Sequence, residues 1–200
     1  ICLVGSEMCI RDRNKVLEDG EEFGLMVIAP AHHRRIAAGI LSWGQDLDHE
    51  TSPFQVNLAY QVPRNKKSDY IGKAELERQR DVIDSGDAPF KMKMVGITLG
   101  GKEITDYAPD FWLVADTDGN DMGYVTSPWW SPELETNIAL AWVPWSSSEV
   151  GTKLLVKLPD EYSVTPGEPV EGEVVDVPFR ESVNPNKREV EAAKGKDFAE

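Results

Sequence analysis

Short apolar segments separated by turn residues fill the second half of the chain, whereas the first half alternates between charged runs and brief apolar patches. Gly, Pro and Asp-Gly sequences separate these segments, and β-branched and aromatic residues are frequent within them. The six segments are 91–99, 111–116, 122–128, 137–145, 152–158 and 170–179. Six short strands with such punctuation predict a small antiparallel β-barrel or β-sandwich.

The first half predicts two helices and two extended segments. Apolar residues four apart place one apolar face on a helix over 31–41, and a second amphipathic helix is predicted over 74–82. Alternation of apolar and polar residues over 54–62 predicts a strand, and the apolar run 25–28 predicts the end of a buried strand. The turn-rich sequence at 85–89 marks the boundary before the β-rich half.

Composition narrows the class of protein. Two hundred residues with 40% hydrophobic content make one domain or two small ones with a packed core. The formal net charge of −14 argues against nucleic acid and against an anionic membrane surface as partners, because both require a basic protein surface. No apolar run approaches the roughly 20 residues that span a bilayer, so no membrane association is expected.

The first thirteen residues, ICLVGSEMCIRDR, are similar to translated read-through of a sequencing adapter, and we expect residues 1–13 to be a non-native leader. Both cysteines, Cys2 and Cys9, lie in this leader. A disulfide framework or a cysteine-ligated metal is therefore not expected in the remainder of the chain.

Three patterns that could indicate metal or acid–base chemistry are better explained without it. His32 and His33 are adjacent, so they point about 100° apart on a helix and cannot share a metal. Residues 116–121, DTDGND, lack the glycine and glutamate positions of a calcium loop and predict an acidic hairpin turn. The acidic loop that contains Asp46, Asp48 and Glu50 is expected to be solvated.

The segment 35–48, RIAAGILSWGQDLD, with Ser-Pro after it, is similar to a motif of the glycine-cleavage T-protein (aminomethyltransferase) family. That motif is R-L-E-x-G, then Y-G-Q/N-D/E-M/L-D and S/N-P. The family includes folate-dependent demethylases and the C-terminal parts of flavin-linked dimethylglycine and sarcosine dehydrogenases. Further segments resemble it in order: 69–77, 123–127, 131–134 and 138–143. The phrase GILSWGQD is closest to the demethylase-type members, such as the dimethylsulfoniopropionate demethylase.

The resemblance implies an α+β chain with the family's C-terminal architecture. Residues 14–84 would be the end of a folate-binding α/β domain, residues 90–180 a six-stranded antiparallel β-barrel, and residues 181–200 a charged tail. The implied protein is cytoplasmic and transfers a one-carbon unit from a small-molecule donor to tetrahydrofolate, in some members with a lipoyl-carrier protein. The chain is expected to be a C-terminal fragment that is inactive alone.

The resemblance also implies candidate cofactor-binding residues: Arg35, Trp43 and, at the rim, Arg180. Trp43 stands where the family usually has Tyr, and Ala37 replaces the family glutamate, which puts glycine-cleavage activity in doubt. The family's principal catalytic aspartate lies in the N-terminal half, so no residue here is assigned as catalytic. Two alternatives remain: the C-terminal segment of a flavin-linked dehydrogenase, or a non-catalytic barrel module.

Overall fold

A computed structural model describes residues 7–27, 31–64, 66–108 and 110–179 of the chain. The chain separates into two compact units, residues 1–31 and residues 32–200. The first unit contains helix α1 (Glu7–Gly20) and the 3-10 helix Glu21–Phe23. The second contains α2 (His32–Ala37), α3 (Lys73–Asp84) and six strands, together with the 3-10 helices Ala59–Gln61 and Trp145–Ser147.

In the first unit, helix α1 ends in a turn rather than leading into a strand. The 3-10 helix stops at Gly24, whose left-handed backbone (φ 71°) favours glycine. The amide of Leu25 then donates to the Gly20 carbonyl. Residues 25–27 are exposed and irregular, so the strand predicted over 25–28 is wrong for these three residues, and Ile28 lies outside the described residues.

The second unit is built on a closed barrel. Its strands are β1 (Met92–Leu99), β2 (Trp112–Ala115), β3 (Asp121–Ser131), β4 (Thr136–Pro144), β5 (Lys153–Val156) and β6 (Val170–Val175). All neighbouring pairs are antiparallel, in the order β1-β4-β3-β2-β5-β6, and β6 pairs with β1 to close the sheet. The six predicted strands and the antiparallel barrel are confirmed, and closure excludes the sandwich.

Alternate side chains of a barrel strand belong to two different apolar clusters, one inside the barrel and one on its outer face. In β4, Ala139, Ala141 and Val143 point into the barrel, where they join the interior cluster. The intervening Ile138, Leu140 and Trp142 point outward into a second cluster that covers the outside of the barrel. Both faces of β4 are therefore buried, which explains why this strand is almost continuously apolar in sequence.

The outer cluster is completed by residues from α2 and the loops that follow it. Ile36 and Ala37 of α2 are buried there against the barrel. The helix ends at Ala37, not at residue 41 as predicted. The chain reverses because Gly39 adopts a left-handed conformation (φ 69°), and the Ile40 amide donates to the Arg35 carbonyl over 2.7 Å.

The strand predicted over 54–62 is also wrong, since the segment forms turns and the 3-10 helix Ala59–Gln61. Asn57 has a positive φ of 60°, which interrupts an extended chain, and its side-chain amide donates to the Met94 carbonyl. Phe54 and Val56 are buried, so their alternation reflects a loop packed on the barrel. The helix predicted over 74–82 is confirmed as α3.

Four tryptophans lie between residues 129 and 145. Of these, only Trp142 is buried, whereas Trp129, Trp130 and Trp145 are partly exposed. Trp129 pairs with Ile138 of the outer cluster and Trp130 with Asn137, so the two adjacent rings face opposite sides of β3. Tryptophan rings therefore lie both in a buried cluster and at the partly exposed surface of the barrel.

Candidate functional site: an ionic clasp beneath an exposed tryptophan

The structure places two of the three predicted cofactor-binding residues on one side of the barrel. Arg35 lies in α2 with its side chain 18% exposed. Trp43 follows in the turn 42–47, where its side chain is 69% exposed. Arg180 lies outside the described residues. Its neighbour Phe179 donates its amide to the Ala37 carbonyl at the end of α2.

Asp46 is the buried centre of this region. Its carboxylate is 0% exposed and accepts four hydrogen bonds. One oxygen accepts from the Arg35 guanidinium (2.9 Å) and the Ser42 amide (2.8 Å), and the other accepts from the hydroxyls of Thr126 (2.6 Å) and Ser127 (2.5 Å). The expectation of a solvated loop is therefore wrong for Asp46. We call the group Arg35, Asp46, Thr126 and Ser127 the clasp.

Arg35 is fully engaged within the protein. Nε donates to His32, Nη1 donates to the Ile40 carbonyl and to Asp46, and Nη2 donates to Gln45 and to Ser127. The distances run from 2.9 Å to Asp46 and Ser127 up to 3.4 Å to His32. A guanidinium has five N–H donors, so each of them already has an acceptor.

A β-bulge brings the two hydroxyls of the clasp to the same face. Val125 pairs with Ala141 and Ser127 pairs with Leu140, so Thr126 is an extra residue in β3. In a regular strand, neighbouring side chains point to opposite faces, and only one of the two hydroxyls could reach Asp46. The bulge lets both of them point outward toward the carboxylate. The motifs at 35–48 and 123–127 meet through this irregularity.

The turn that contains Trp43 is fixed at several points. Gly44, with a φ of 80°, donates its amide to the Leu47 carbonyl, and the Asp46 amide donates to the Ser42 carbonyl, both over 2.8 Å. The Gln45 side chain donates to the Thr126 carbonyl (2.7 Å). The Asp46 carbonyl accepts from the Trp142 indole (3.0 Å). The turn is therefore attached to β3 and β4 while the ring of Trp43 projects into solvent.

His32 connects the clasp to an aromatic group. Its ring stacks on Trp129 at 4.9 Å between centroids and is tilted against Tyr107 at 5.6 Å. The pKa of His32 is lowered from its ordinary value, first by burial and then by the Arg35 cation, whereas Asp46 acts in the opposite direction. Neutral His32 can accept from Arg35 through Nδ1, and the protonated ring cannot.

This lowered pKa predicts a pH dependence of stability. As the pH falls below about 6.5, the unfolded chain takes up the His32 proton before the folded chain does, so folding loses free energy. The His32 contribution is complete above about 6.5 and decreases as the pH falls through the folded-state pKa. Urea unfolding between pH 7.5 and 5 should show less of this loss in His32→Gln than in the parent. His49→Gln, at an exposed histidine, should retain it, and equal curves for parent and His32→Gln would contradict the prediction.

An acidic groove of about 370 Å³ adjoins the turn. Asp48, Glu50 and Tyr124 line it, and the Tyr124 ring stacks on Phe111 at 5.3 Å between centroids. Burial, and then the Asp48 carboxylate, raise the pKa of the Tyr124 phenol. Among the described residues, no basic side chain lines this groove. Its charge therefore does not suit an anionic ligand.

The predicted hairpin turn over 116–121 is confirmed between β2 and β3. Asp116 accepts from the amides of Asp118 (3.0 Å) and Asn120 (2.8 Å), and these hydrogen bonds close the turn. Among the described residues, no group of three or more His, Cys, Asp or Glu side chains could hold a metal ion. Nor does any helix in the described part of the chain have the length and apolarity to cross a membrane.

Sequence reasoning found Arg35 and Trp43 but missed Asp46, Ser127 and Thr126 as members of the same site. Asp46 is buried between the turn and the bulge, whereas Asp48 and Glu50 are exposed. The sequence of the acidic loop alone does not distinguish the buried carboxylate from the two exposed ones. The one available signal was the occurrence of the two motifs, 35–48 and 123–127, in the same chain.

The domain is a closed antiparallel β-barrel whose outer face is covered by helix α2 and the loops that follow it. Residues 93–180 match the family profile described as glycine cleavage T-protein C-terminal barrel domain. The chain belongs to the glycine-cleavage T-protein family and contains its C-terminal portion, as the sequence motifs indicated.

Individual relatives agree with this assignment. An aminomethyltransferase of Synechococcus sp. (strain CC9902) is 35% identical over 124 residues, which are 62% of this chain and 31% of the relative. One from Oceanobacillus iheyensis is 33% identical over 145 residues, 72% of this chain and 36% of the relative. The chain thus spans about a third of the length of the curated relatives it matches.

A solved structure supports the fold. It is the glycine cleavage system aminomethyltransferase T from Bartonella henselae, which superposes with a TM-score of 0.57 at 24% sequence identity. The alignment covers 75% of this chain and 38% of the Bartonella protein.

Proposed function

We propose that this chain is the C-terminal portion of a tetrahydrofolate-dependent one-carbon transferase. The observation that carries the proposal is the exposed indole of Trp43 on the hydrogen-bonded turn 42–47, within the motif where the family usually has Tyr. The similarity to aminomethyltransferases extends over 124 to 145 residues, more than the barrel alone, and so supports assigning residues 14–84 to the folate-binding domain and 90–180 to the barrel.

The residues proposed to bind the cofactor differ in how well their surroundings suit direct contact with it. Trp43 fits a flat ring, because one large aromatic face is held out to solvent. Arg35 fits less well as a direct contact, since its five donors already have acceptors in the protein. Ala37 is 2% exposed and brings no carboxylate, unlike the family glutamate. Arg180 stays a proposed rim residue on the strength of its neighbour Phe179, which contacts the end of α2.

When bound, tetrahydrofolate supplies the nitrogen that accepts the one-carbon unit. The part of this chain is to bind and orient: the Trp43 face would stack on the pterin and exclude water from one side of it. The loss of the glutamate at Ala37 and the change at Trp43 favour a methyl donor of the demethylase type, such as a sulfonium, over the glycine-cleavage reaction. The whole protein would be cytoplasmic, and a lipoyl-carrier protein would be its partner only in aminomethyl transfer.

Calorimetry with 5-methyltetrahydrofolate tests the proposal, on the 200-residue chain and on a full-length protein containing residues 14–200. We expect the full-length protein to bind and Trp43→Ala to weaken binding by about fivefold or more, because stacking on an aromatic side chain is worth about 1–3 kcal/mol. Phe23→Ala, at another exposed aromatic residue, is the matched control and should leave the Kd unchanged. Absence of binding by the full-length protein would refute the proposal and favour a non-catalytic barrel module.

A further inference from the structure

We infer that Asp46 is a positioning residue, which acts through Arg35 and the turn 42–47 to hold in place the backbone that carries the Trp43 ring, for contact with a planar heteroaromatic ligand. The ligand class rests on the proposed function, whereas the positioning role rests on the geometry of the clasp alone. Thr126 and Ser127 contribute to the same positioning, because their hydroxyls donate to the carboxylate oxygen of Asp46 that Arg35 does not contact.

Arg35 is held by contacts within the protein. A cation near a folate-type site would ordinarily be assigned to the ligand's carboxylates. Here all five N–H donors of Arg35 have acceptors, among them the Asp46 carboxylate and the Ser127 hydroxyl, both at 2.9 Å. A ligand could recruit Arg35 only by breaking contacts that fix the turn. Its contribution is therefore to orient its neighbours.

Asp46 connects several parts of the fold. Through its side chain it contacts α2 (Arg35), the turn (the Ser42 amide) and the bulge of β3. Through its backbone carbonyl it also accepts from Trp142 of β4. One residue therefore links four parts of the fold. With a side chain that is 0% exposed and four donors around it, the carboxylate faces protein on every side and would not itself touch a ligand.

The turn 42–47 presents the ring of Trp43 to solvent. Leu47 packs against the outer cluster, and the Gln45 side chain donates to the Thr126 carbonyl. Both of these side chains of the turn therefore contact the barrel. Trp43 alone projects, at 69% exposure. A surface loop with a projecting indole would ordinarily be mobile and would lose entropy on binding. Fixing it in advance removes that cost, which is the advantage of a preorganised platform.

Hydrogen exchange on the ligand-free 200-residue chain tests the positioning role. Ser127→Ala removes one donor to Asp46 and one acceptor for Arg35 with little change of shape. We expect the amides of Gly44 and Asp46 to exchange about tenfold faster or more in this variant. Ser131→Ala, at another buried serine of β3 outside the clasp, should leave those amides unchanged. Unchanged exchange in both Ser127→Ala and Asp46→Asn would overturn the inference.

A double-mutant cycle on the Kd of 5-methyltetrahydrofolate, in the full-length protein, then tests whether the clasp acts through Trp43. We expect Ser127→Ala to weaken binding about fivefold in the parent and to have no effect in the Trp43→Ala background. Equal weakening in both backgrounds would show that the clasp does not act through Trp43. If the parent binds no folate, the proposed function and the ligand class fail, while the exchange rates still decide the positioning role.

Discussion

Asp46→Ala is expected to lower the free energy of unfolding by about 3 kcal/mol. Removal of one partner from a buried ion pair typically costs about 3–5 kcal/mol, because the remaining charge stays buried without compensation. The Arg35 side chain is 18% exposed, so water can reach part of the guanidinium, and we place the effect at the lower end of that range. The hydroxyls of Thr126 and Ser127 also lose their shared acceptor, so the loss in the free energy of unfolding should not fall below this value.

The measurement is urea unfolding of the 200-residue chain, monitored by tryptophan fluorescence at pH 7.5. Asp48→Ala is the matched control, since this aspartate lies two residues away and is exposed. Its carboxylate bonds locally to the Glu50 amide and the Thr51 hydroxyl. We expect a change of no more than about 0.5 kcal/mol for the control. Similar losses for the two variants would show that burial of the Asp46 carboxylate does not govern the stability of the fold.

The strands of the barrel could be predicted because each is a local pattern. Turn residues bracket β1 to β6, and the apolar content between them exceeds that of the surroundings. Closure could not be predicted from the same pattern, since it depends on pairing between β1 and β6, which lie far apart in sequence. The family resemblance supplied the barrel where periodicity alone left a sandwich open.

The errors in the first half have a common physical cause. Residues 54–62 alternate like a strand because Phe54 and Val56 are buried while their neighbours bond to the edge of β1. Helix α2 stops early because Gly39 reverses the chain where Val177 lies close, and a Cβ at Gly39 would be 2.7 Å from the Val177 side chain. In both places the environment created by the barrel overrides the local pattern.

The site was only partly predictable for a related reason. Arg35 and Trp43 belong to one contiguous motif and could be found together. The role of Asp46 depends on Thr126 and Ser127 pointing the same way, and that requires a bulge which no sequence pattern in β3 announces. A buried carboxylate of this kind is recognised only once its two hydroxyl donors, 80 residues or more away in sequence, are in place.

Gly123→Ala is expected to destabilise the chain by about 3 kcal/mol, the second large effect. A Cβ on Gly123 would overlap the carbonyl oxygen of Trp142 and lie 3.1 Å from its carbonyl carbon and 3.3 Å from the Cα of Val143. These are backbone atoms of β4, so no side-chain rotation can relieve the contact. Overpacking of this kind costs about 1–3 kcal/mol, and rigid backbone neighbours place the expected loss at the upper end.

The effect should extend to the clasp, because β3 must move relative to β4 three residues before the bulge at Thr126. Gly100→Ala is the matched control: a Cβ there would meet only the Glu171 carbonyl oxygen, at an ordinary 3.8 Å. Urea unfolding should show the large loss for Gly123→Ala alone, and hydrogen exchange of the turn 42–47 should be faster in that variant. If Gly123→Ala were as stable as Gly100→Ala, the β3–β4 pairing would have to be looser than the register Val125–Ala141 indicates, and the hydroxyls of the bulge could no longer be regarded as fixed by it.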